Sequence, residues 1–237
     1  MRGRRCRGPD STAGAAGMSE KIDGIEAVRA IVWDFDGVLN RAGKRDGEGL
    51  FPWQRKVGEE LGIDARAMGQ AVFGRDKAAL FEGREDVLDR LADWARETGA
   101  AFDPEDVLEI WFQTDHDPDP ELERLLPLLT QAGLAQVILS NNEARRARWI
   151  AQEAGWAGQV DAVFASGETG VMKPSGKAFE QVEQALDMLP HEILMIDDTP
   201  ANVAAAEKRG WLGWDYEPGG AMALVQALMP LLVRSQE

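Results

Sequence analysis

The sequence is poor in the features that three classes of protein require. It has a single cysteine, Cys6, which cannot form an internal disulfide, as is common in the reducing cytoplasm. Lysine and arginine number 26 against 41 acidic residues, so the net charge of −15 disfavours nucleic acid as a partner. No apolar run approaches the roughly 18–20 residues that a membrane-spanning helix needs. The sequence therefore predicts a cytoplasmic protein with neither a nucleic-acid nor a membrane partner.

The first 17 residues differ in composition from the rest of the chain. They hold four arginines and one acid among many glycines and alanines, with few large apolar residues. They lack the apolar stretch of a secretion signal, and they do not show the amphipathic spacing of a transit peptide. A basic arm and a disordered segment ahead of a start at Met18 are both compatible with this composition. We expect residues 1–24 to form a disordered N-terminal extension.

Short apolar runs alternate with helical patterns in most of the chain. Strands that alternate with helices of 10–15 residues are typical of βα units on a parallel sheet. The pattern predicts an α/β fold with a doubly wound, Rossmann-like parallel sheet. The predicted strands are AIVWDF (30–35), QVILS (136–140), DAVFAS (161–166), EILMIDD (192–198) and WLGWDY (211–216).

Residues 45–118 break this alternation, because they are helical in pattern without a clear strand. In REDVLDRLADWARETG, for example, Val87, Leu88, Leu91 and Trp94 mark one helical face. We therefore expect an all-helical cap domain over residues 45–118, inserted into a core formed by residues 25–44 and 119–237.

Polar residues follow several of the predicted strands. Parallel sheets bind ligands outside the carboxyl ends of their strands, so these side chains should meet at one edge. Two bare carboxylates at such an edge repel each other and lose hydration unless a cation or a chemical role compensates them. The candidates are Asp34 and Asp36 at the end of the first strand, Ser140 at the end of the second, Asp197 and Asp198 at the end of the fourth, and Lys173 in the loop GVMKPSG.

The chemistry of these residues is that of phosphoryl transfer. Mg²⁺ prefers oxygen ligands, and the carboxylates of Asp34, Asp198 and Asp197 are available to supply them. An aspartate can also act as the nucleophile, while a second acid, Asp36, donates and accepts the proton. A lysine and a hydroxyl, here Lys173 and Ser140, can hold the oxygens of the phosphate.

Four ordered motifs resemble those of the haloacid dehalogenase (HAD) superfamily of aspartate-nucleophile hydrolases. WDFDGVLN is similar to the first motif, LSNN to the second, MKP to the third, and MIDDTPANVAAAEKRG to the fourth in its double-acid form. The helical insertion lies between the first two motifs, as in the subfamily with a helical cap. The resemblance covers about residues 28–216.

The resemblance implies a role for each motif residue. Asp34 would be the nucleophile and a Mg²⁺ ligand, and Asp36 would be the general acid and base, also binding the metal through its carbonyl. The dehalogenase branch lacks an acid at the position of Asp36, which favours phosphate substrates here. The other implied roles are phosphate binding by Ser140, Asn141 and Lys173, metal binding by Asp198 with its neighbour Asp197, and polar support by Asn202.

We therefore expect a Mg²⁺-dependent phosphatase that hydrolyses a small phosphorylated metabolite, such as a sugar phosphate, through an aspartyl-phosphate. A phosphomutase similar to β-phosphoglucomutase would use the same core residues. A 2-haloacid dehalogenase and a non-catalytic binding module on the same fold are further alternatives.

Several residues outside the motifs have both a functional and a structural interpretation. His116 titrates near neutrality, but its place in TDHDPDP favours a solvated hinge residue. Trp53 and Trp111 could line a pocket, whereas Trp33, Trp149 and Trp211 are expected in the core. Arg75 and Lys77 could contact an anionic substrate or lie on an exposed helix face.

Overall fold

The computed structural model describes residues 21–41 and 45–233. Their strands form one five-stranded sheet in the order β3-β2-β1-β4-β5, and all four neighbouring pairs are parallel. The strands are β1 (Ala30–Trp33), β2 (Ala135–Ser140), β3 (Ala162–Ala165), β4 (Ile193–Asp197) and β5 (Leu212–Asp215). The predicted α/β class and parallel sheet are thus confirmed.

Eleven α-helices accompany these strands in the described part of the chain. They are α1 (Pro52–Leu61), α2 (Ala65–Phe73), α3 (Lys77–Phe81), α4 (Val87–Thr98), α5 (Pro104–Thr114), α6 (Pro120–Gln131), α7 (Ala144–Ala151), α8 (Ser166–Thr169), α9 (Gly176–Leu186), α10 (Pro200–Lys208) and α11 (Ala221–Val233). Aspartates open several of them, because the side chain of an N-cap residue accepts hydrogen bonds from free backbone N–H groups. Asp64, Asp86, Asp103 and Asp119 do so for α2, α4, α5 and α6.

The sheet is covered on both faces, as in a doubly wound fold. Successive residues of a strand point to opposite faces, so Ile31 and Trp33 pack with α6 and α11, while Ala30 and Val32 pack with α9 and α10. Each face has its own apolar cluster, and every residue of β1 is buried. The central strand therefore ends at a rigid point within the core.

Helices α1–α5, which we call the helical insertion, have a separate apolar cluster that includes Trp53, Leu91 and Trp111. The two chain crossings between insertion and core lie side by side, because Arg41 N donates to Asp117 O at 2.8 Å and Asp119 N to Leu39 O at 2.8 Å. The helical insertion falls within the range 45–118, whose boundaries as a cap domain stay a prediction.

Two further predictions concern Trp149 and the N-terminal extension. Trp149 lies at the junction, where it packs against both the sheet core and the cluster of the helical insertion. The predicted extension 1–24 lies outside the described residues except for 21–24, where Ile22 packs against the core. Within the described residues, every helix is too short or too polar to cross a membrane.

Candidate active site

The polar residues predicted to meet lie at one edge of the sheet. Trp33 pairs with Ile138 of β2 and Ile196 of β4, so the residues that follow each of them in the chain emerge side by side. Lys173 reaches the same edge from the loop between α8 and α9. The sheet thus brings together Asp34, Asp36, Ser140, Lys173, Asp197 and Asp198.

A buried lysine joins two of the carboxylates. Lys173 Nζ lies 2.8 Å from Asp34 Oδ1 and 2.6 Å from Asp197 Oδ2, and all three side chains are nearly inaccessible to solvent. Burial opposes the charge on Lys173, yet Asp34 and Asp197 outweigh it and raise the pKa of the ammonium. Burial also raises the pKa of the Asp34 carboxyl, against the lysine, which lowers it. The ammonium of Lys173 therefore forms ion pairs with two buried carboxylates.

The same edge has the donor set of a divalent cation site. Carboxylate oxygens of Asp34, Asp197 and Asp198 all lie within 4.8 Å of one another. Three carboxylates against the single ammonium of Lys173 leave two negative charges, and partial burial beside Asp197 raises the pKa of Asp198. Hard oxygen ligands with this surplus charge fit a cation such as Mg²⁺.

Asp197 and Asp198 differ in their surroundings. Asp197 is fully buried, and its carboxylate accepts hydrogen bonds from Lys173 Nζ, Asn202 Nδ2 and Thr199 N. Asn202 thus supports the site, as the resemblance implied. Asp198 is half-buried and receives a hydrogen bond from the Thr199 hydroxyl at 3.3 Å. We infer that Asp197 holds Lys173 in place, while Asp198 keeps its oxygens available to a metal.

Gly37 allows the first and fourth motifs to approach each other. Its φ of +92° is strained for other residues, and a Cβ there would lie 2.1 Å from Asp198 Oδ2. A glycine after the second acid is therefore needed for the cluster to form.

Asp36 is held by a buried arginine that the sequence analysis did not identify. Arg146 on α7 binds it through both terminal nitrogens, at 2.5 Å to Oδ2 and 2.8 Å to Oδ1. Asn40 and Asn142 donate to the same carboxylate at 2.9 and 3.0 Å. Burial favours the protonated acid, but Arg146 and the two amides outweigh it and lower the pKa of Asp36.

Arg146 also connects the core to the helical insertion. Its guanidinium lies 3.2 Å from Asp115 Oδ2, just after α5, and 2.5 Å from Asn142 Oδ1. The only sequence signals for this group are the second asparagine of LSNN and the arginine pair after it. Neither predicts a contact with Asp36, which is 110 positions away from Arg146.

Ser140 and Asn141 are both positioned by their neighbours. The buried Ser140 Oγ accepts a hydrogen bond from Asn142 Nδ2 at 2.7 Å. The Asn141 side chain bonds the backbone of Lys173 in both directions, at 2.8 and 2.9 Å. Asn141 therefore fixes the lysine loop, and phosphate binding by either residue stays a prediction. The N-cap residue of α7 is Glu143.

A cavity of about 500 Å³ lies between the edge of the sheet and the helical insertion. Asp36 and Arg146 line it from the core, and Trp53, Trp111 and Lys77 line it from the insertion. The position at a pocket that was expected for the two tryptophans agrees with the structure, and contact of Lys77 with an anionic substrate stays a prediction. Arg75 lies outside this cavity, in a surface depression beside α4 and α8.

His116 is not the solvated hinge residue that its sequence context suggested. Its Nε2 accepts a hydrogen bond from Trp156 Nε1 at 3.3 Å, and its ring meets that of Trp149 edge to face. This partial burial lowers the pKa of His116. The residue is a packing element between the core and the insertion because two tryptophans enclose it.

Sequence comparison relates the chain to a known phosphatase. A phosphoserine phosphatase from Thermus thermophilus is 27% identical over 155 residues, which are 64% of this chain and 61% of that protein. The chain thus spans less than two thirds of the length of this relative.

Solved structures share the fold at low sequence identity. A HAD-like hydrolase from Porphyromonas gingivalis superposes with a TM-score of 0.66 at 22% identity, over 85% of this chain and 98% of that one. A HAD-family enzyme from Bacteroides thetaiotaomicron, solved with magnesium and inorganic phosphate, gives 0.63 at 20% identity, over 81% and 96%. An L-2-haloacid dehalogenase from Xanthobacter autotrophicus gives 0.56 at 20% identity, over 86% and 83%.

A family model matches most of the chain. The model describes haloacid dehalogenase-like hydrolases, and residues 28–210 match it, a range that includes all four motifs and the helical insertion. The protein belongs to the haloacid dehalogenase-like hydrolase family.

Proposed function

We propose that the protein is a Mg²⁺-dependent phosphatase that hydrolyses a small phosphomonoester through an aspartyl-phosphate at Asp34. The observation that carries this proposal is the placement of two acids with different partners. Asp34 contacts Lys173 and lies beside Asp197 and Asp198. Asp36 lines the cavity and forms an ion pair with Arg146. These surroundings support Asp34 as the nucleophile and Asp36 as the group that transfers the proton.

The metal would be held by Asp34 and Asp198, with Asp36 contributing its carbonyl as the family resemblance implies. When bound, Mg²⁺ would neutralise charge on the phosphate oxygens and offset the two surplus negative charges of the site. The magnesium and phosphate in the related enzyme from Bacteroides thetaiotaomicron support this proposal.

The side chains of the protein would carry out the transfer in two steps. In the first, an Asp34 oxygen bonds to phosphorus, the ester P–O bond breaks, and the departing alkoxide takes a proton from Asp36. In the second, water attacks phosphorus, Asp36 takes the proton of the water, and the bond between Asp34 and phosphate breaks. Lys173 would hold the phosphate charge throughout. Arg146 favours the carboxylate form of Asp36, which the second step requires, and opposes the protonated form, which the first step requires.

The presence of Asp36 favours a phosphatase over a dehalogenase and over a binding module. A dehalogenase needs no proton donor at this position, and a binding module would have no need for the nucleophile, the acid and the lysine together. A phosphomutase would use the same residues but return the phosphoryl group to a hydroxyl, so product analysis distinguishes it.

The test is phosphate release from a panel of sugar phosphates, nucleotides and phosphorylated acids, with Mg²⁺ and with EDTA. We expect release only with Mg²⁺ and a loss of at least about a thousandfold in Asp34→Asn. An exposed acid on the insertion, Asp93, provides the control, and Asp93→Asn should retain activity. Undiminished release by Asp34→Asn would exclude Asp34 as the nucleophile.

A further inference from the structure

The cavity above Asp36 carries more positive charge than the proposed chemistry uses. Its lining includes two acids, Asp36 and Asp115, and Arg146 is paired with both of them. Three further cations line the same cavity from the helical insertion and the loop before it, namely Arg45, Arg66 and Lys77. In a chain with a net charge of −15, this local excess of cations is a specific feature of the cavity.

Arg45 and Arg66 meet at the turn that precedes α1. Arg45 Nη1 donates to Gly49 O at 2.8 Å, and Arg66 Nη2 donates to Glu48 O. The acids of this turn, Asp46 and Glu48, are paired with Arg55, which does not line the cavity. Within residues 21–41 and 45–233, no carboxylate lies within 4 Å of the guanidinium of Arg45 or of Arg66.

Lys77, at the start of α3, has the same kind of surroundings. No described carboxylate lies within 4 Å of its ammonium, which instead lies 4.9 Å from the centre of the Phe81 ring. Arg45 likewise lies over the Phe51 ring at 4.1 Å. Arg45, Arg66 and Lys77 are exposed residues that keep their full charge, so an anion that enters the cavity is attracted to all three.

Aromatic rings form part of the same wall, beside the side chains of Gln54 and Gln70. Trp53 and Trp111 stack at 5.1 Å, and Phe73 meets Trp111 edge to face at 5.1 Å. All three line the cavity. Such a wall suits an apolar or planar body better than a ring covered with hydroxyl groups, because hydroxyl groups buried against it would lose hydrogen bonds to water.

We propose that this cavity selects a phosphomonoester whose alcohol portion carries a second negative group, such as a carboxylate, on an apolar body. The phosphate would lie at Asp34 and Lys173, and Arg66 and Lys77 would bind the second anion. This inference rests on the proposed phosphatase function and narrows its substrate class away from neutral sugars. Its residues are determinants of specificity and take no part in the chemical step.

The test compares two substrates that differ in one charge, 4-carboxyphenyl phosphate and 4-carbamoylphenyl phosphate. We expect the ratio of their kcat/KM values, acid over amide, to fall about tenfold in Arg66→Gln and in Lys77→Gln, because each loses one charged contact. Comparing ratios between variants cancels the different leaving-group chemistry of the two phenols. Lys56→Gln removes an exposed cation of α1 that lies outside the cavity, and it should leave the ratio unchanged.

A binding measurement separates this inference from the proposed function. Isothermal titration calorimetry measures binding of the products, 4-hydroxybenzoate and 4-hydroxybenzamide, whether or not the protein turns over either ester. Charge-selective binding without phosphate release would support the anion site and overturn the phosphatase. Equal losses for acid and amide in Arg66→Gln and Lys77→Gln, or equal binding of the two products, would overturn the anion site.

Discussion

At the scale of single residues, Arg146 determines the state of the proposed acid and base. Its guanidinium is 5% exposed and contacts Asp36 and Asp115. Replacing it by methionine in Arg146→Met keeps the bulk but removes the cation from two partly buried acids. We expect the free energy of unfolding to fall by about 2–4 kcal/mol. Urea denaturation at pH 7 measures this change.

The control for Arg146 lies on the same helix. Arg148 is half exposed, and its nearest ion-pair partner, Glu168, is 4.0 Å away. Exposed pairs contribute little, so Arg148→Met should change the unfolding free energy by less than about 0.5 kcal/mol. Similar losses in the two variants would mean that Arg146 acts only through general helix packing.

The two neighbouring acids of the fourth motif should respond differently to the same change. In Asp197→Asn, the amide nitrogen would face the donor Asn202 Nδ2 in either orientation, together with Lys173 Nζ in one and Thr199 N in the other. We expect that variant to lose about 1–3 kcal/mol of stability in urea denaturation. Asp198→Asn should keep its stability and instead raise the Mg²⁺ concentration for half-maximal phosphate release at least about tenfold. The reverse pattern would exchange the roles assigned to the two acids.

At the scale of secondary-structure elements, one carboxylate joins α9, α10 and the start of β5. Glu183 accepts two hydrogen bonds from Arg209, at 2.9 and 2.6 Å, and one from Trp211 Nε1 at 2.7 Å. These contacts lower the pKa of Glu183, with Arg209 as the main cause. Because the folded pKa lies below the unfolded one, this stabilisation is complete above the unfolded pKa, about 4.5, and is lost as the pH falls through the folded pKa.

The prediction is that Glu183→Gln costs stability at pH 7 and costs less in acid. We expect a loss of about 1–2 kcal/mol at pH 7, and a smaller difference between the two proteins at pH 3. Urea denaturation at both values measures it. Glu180→Gln, on the exposed face of the same helix, is the control and should cost little at either pH. A difference independent of pH would contradict the ion pair as its cause.

At the scale of the whole molecule, one of the contacts between the helical insertion and the core is formed by two glycines. A Cβ on Gly83, after α3, would lie 2.1 Å from the backbone oxygen of Gly167 in α8. Nearby, Arg145 of α7 binds Asp86 at 2.6 and 2.9 Å. The contact is close because backbone meets backbone, which positions the insertion over Asp36.

A methyl group at this contact should disturb the site from a distance. Gly83 has φ +67°, so Gly83→Ala incurs both backbone strain and a clash, whereas Gly99→Ala, at φ +71° in open space, incurs the strain alone. We expect each to lower the unfolding free energy by at least about 1 kcal/mol. Only Gly83→Ala should also reduce kcat/KM for phosphate release, by about tenfold. Equal kinetics in the two variants would mean that the contact does not position the insertion.

Much of this architecture could be predicted from the chain alone because it depends on local pattern. Apolar runs such as QVILS and EILMIDD form buried parallel strands with polar residues at their carboxyl ends. Because parallel strands end at the same edge of the sheet, Asp34, Ser140 and Asp197 lie together there. The helical insertion is equally local, since apolar spacing on α4 and aspartate caps determine its helices. The family follows from the order of four short motifs.

What only the tertiary structure decided is how the polar side chains share their partners. Arg146 binds Asp36, and Lys173 lies between two acids. The side-chain amide of Asn141 is bonded to the backbone of Lys173 and so holds the lysine loop. The cations Arg45, Arg66 and Lys77 come from separate segments and meet around one cavity. Spacing along a chain determines which face a side chain occupies, but a buried charge must find its partner in three dimensions, and that partner depends on how helices pack over the sheet.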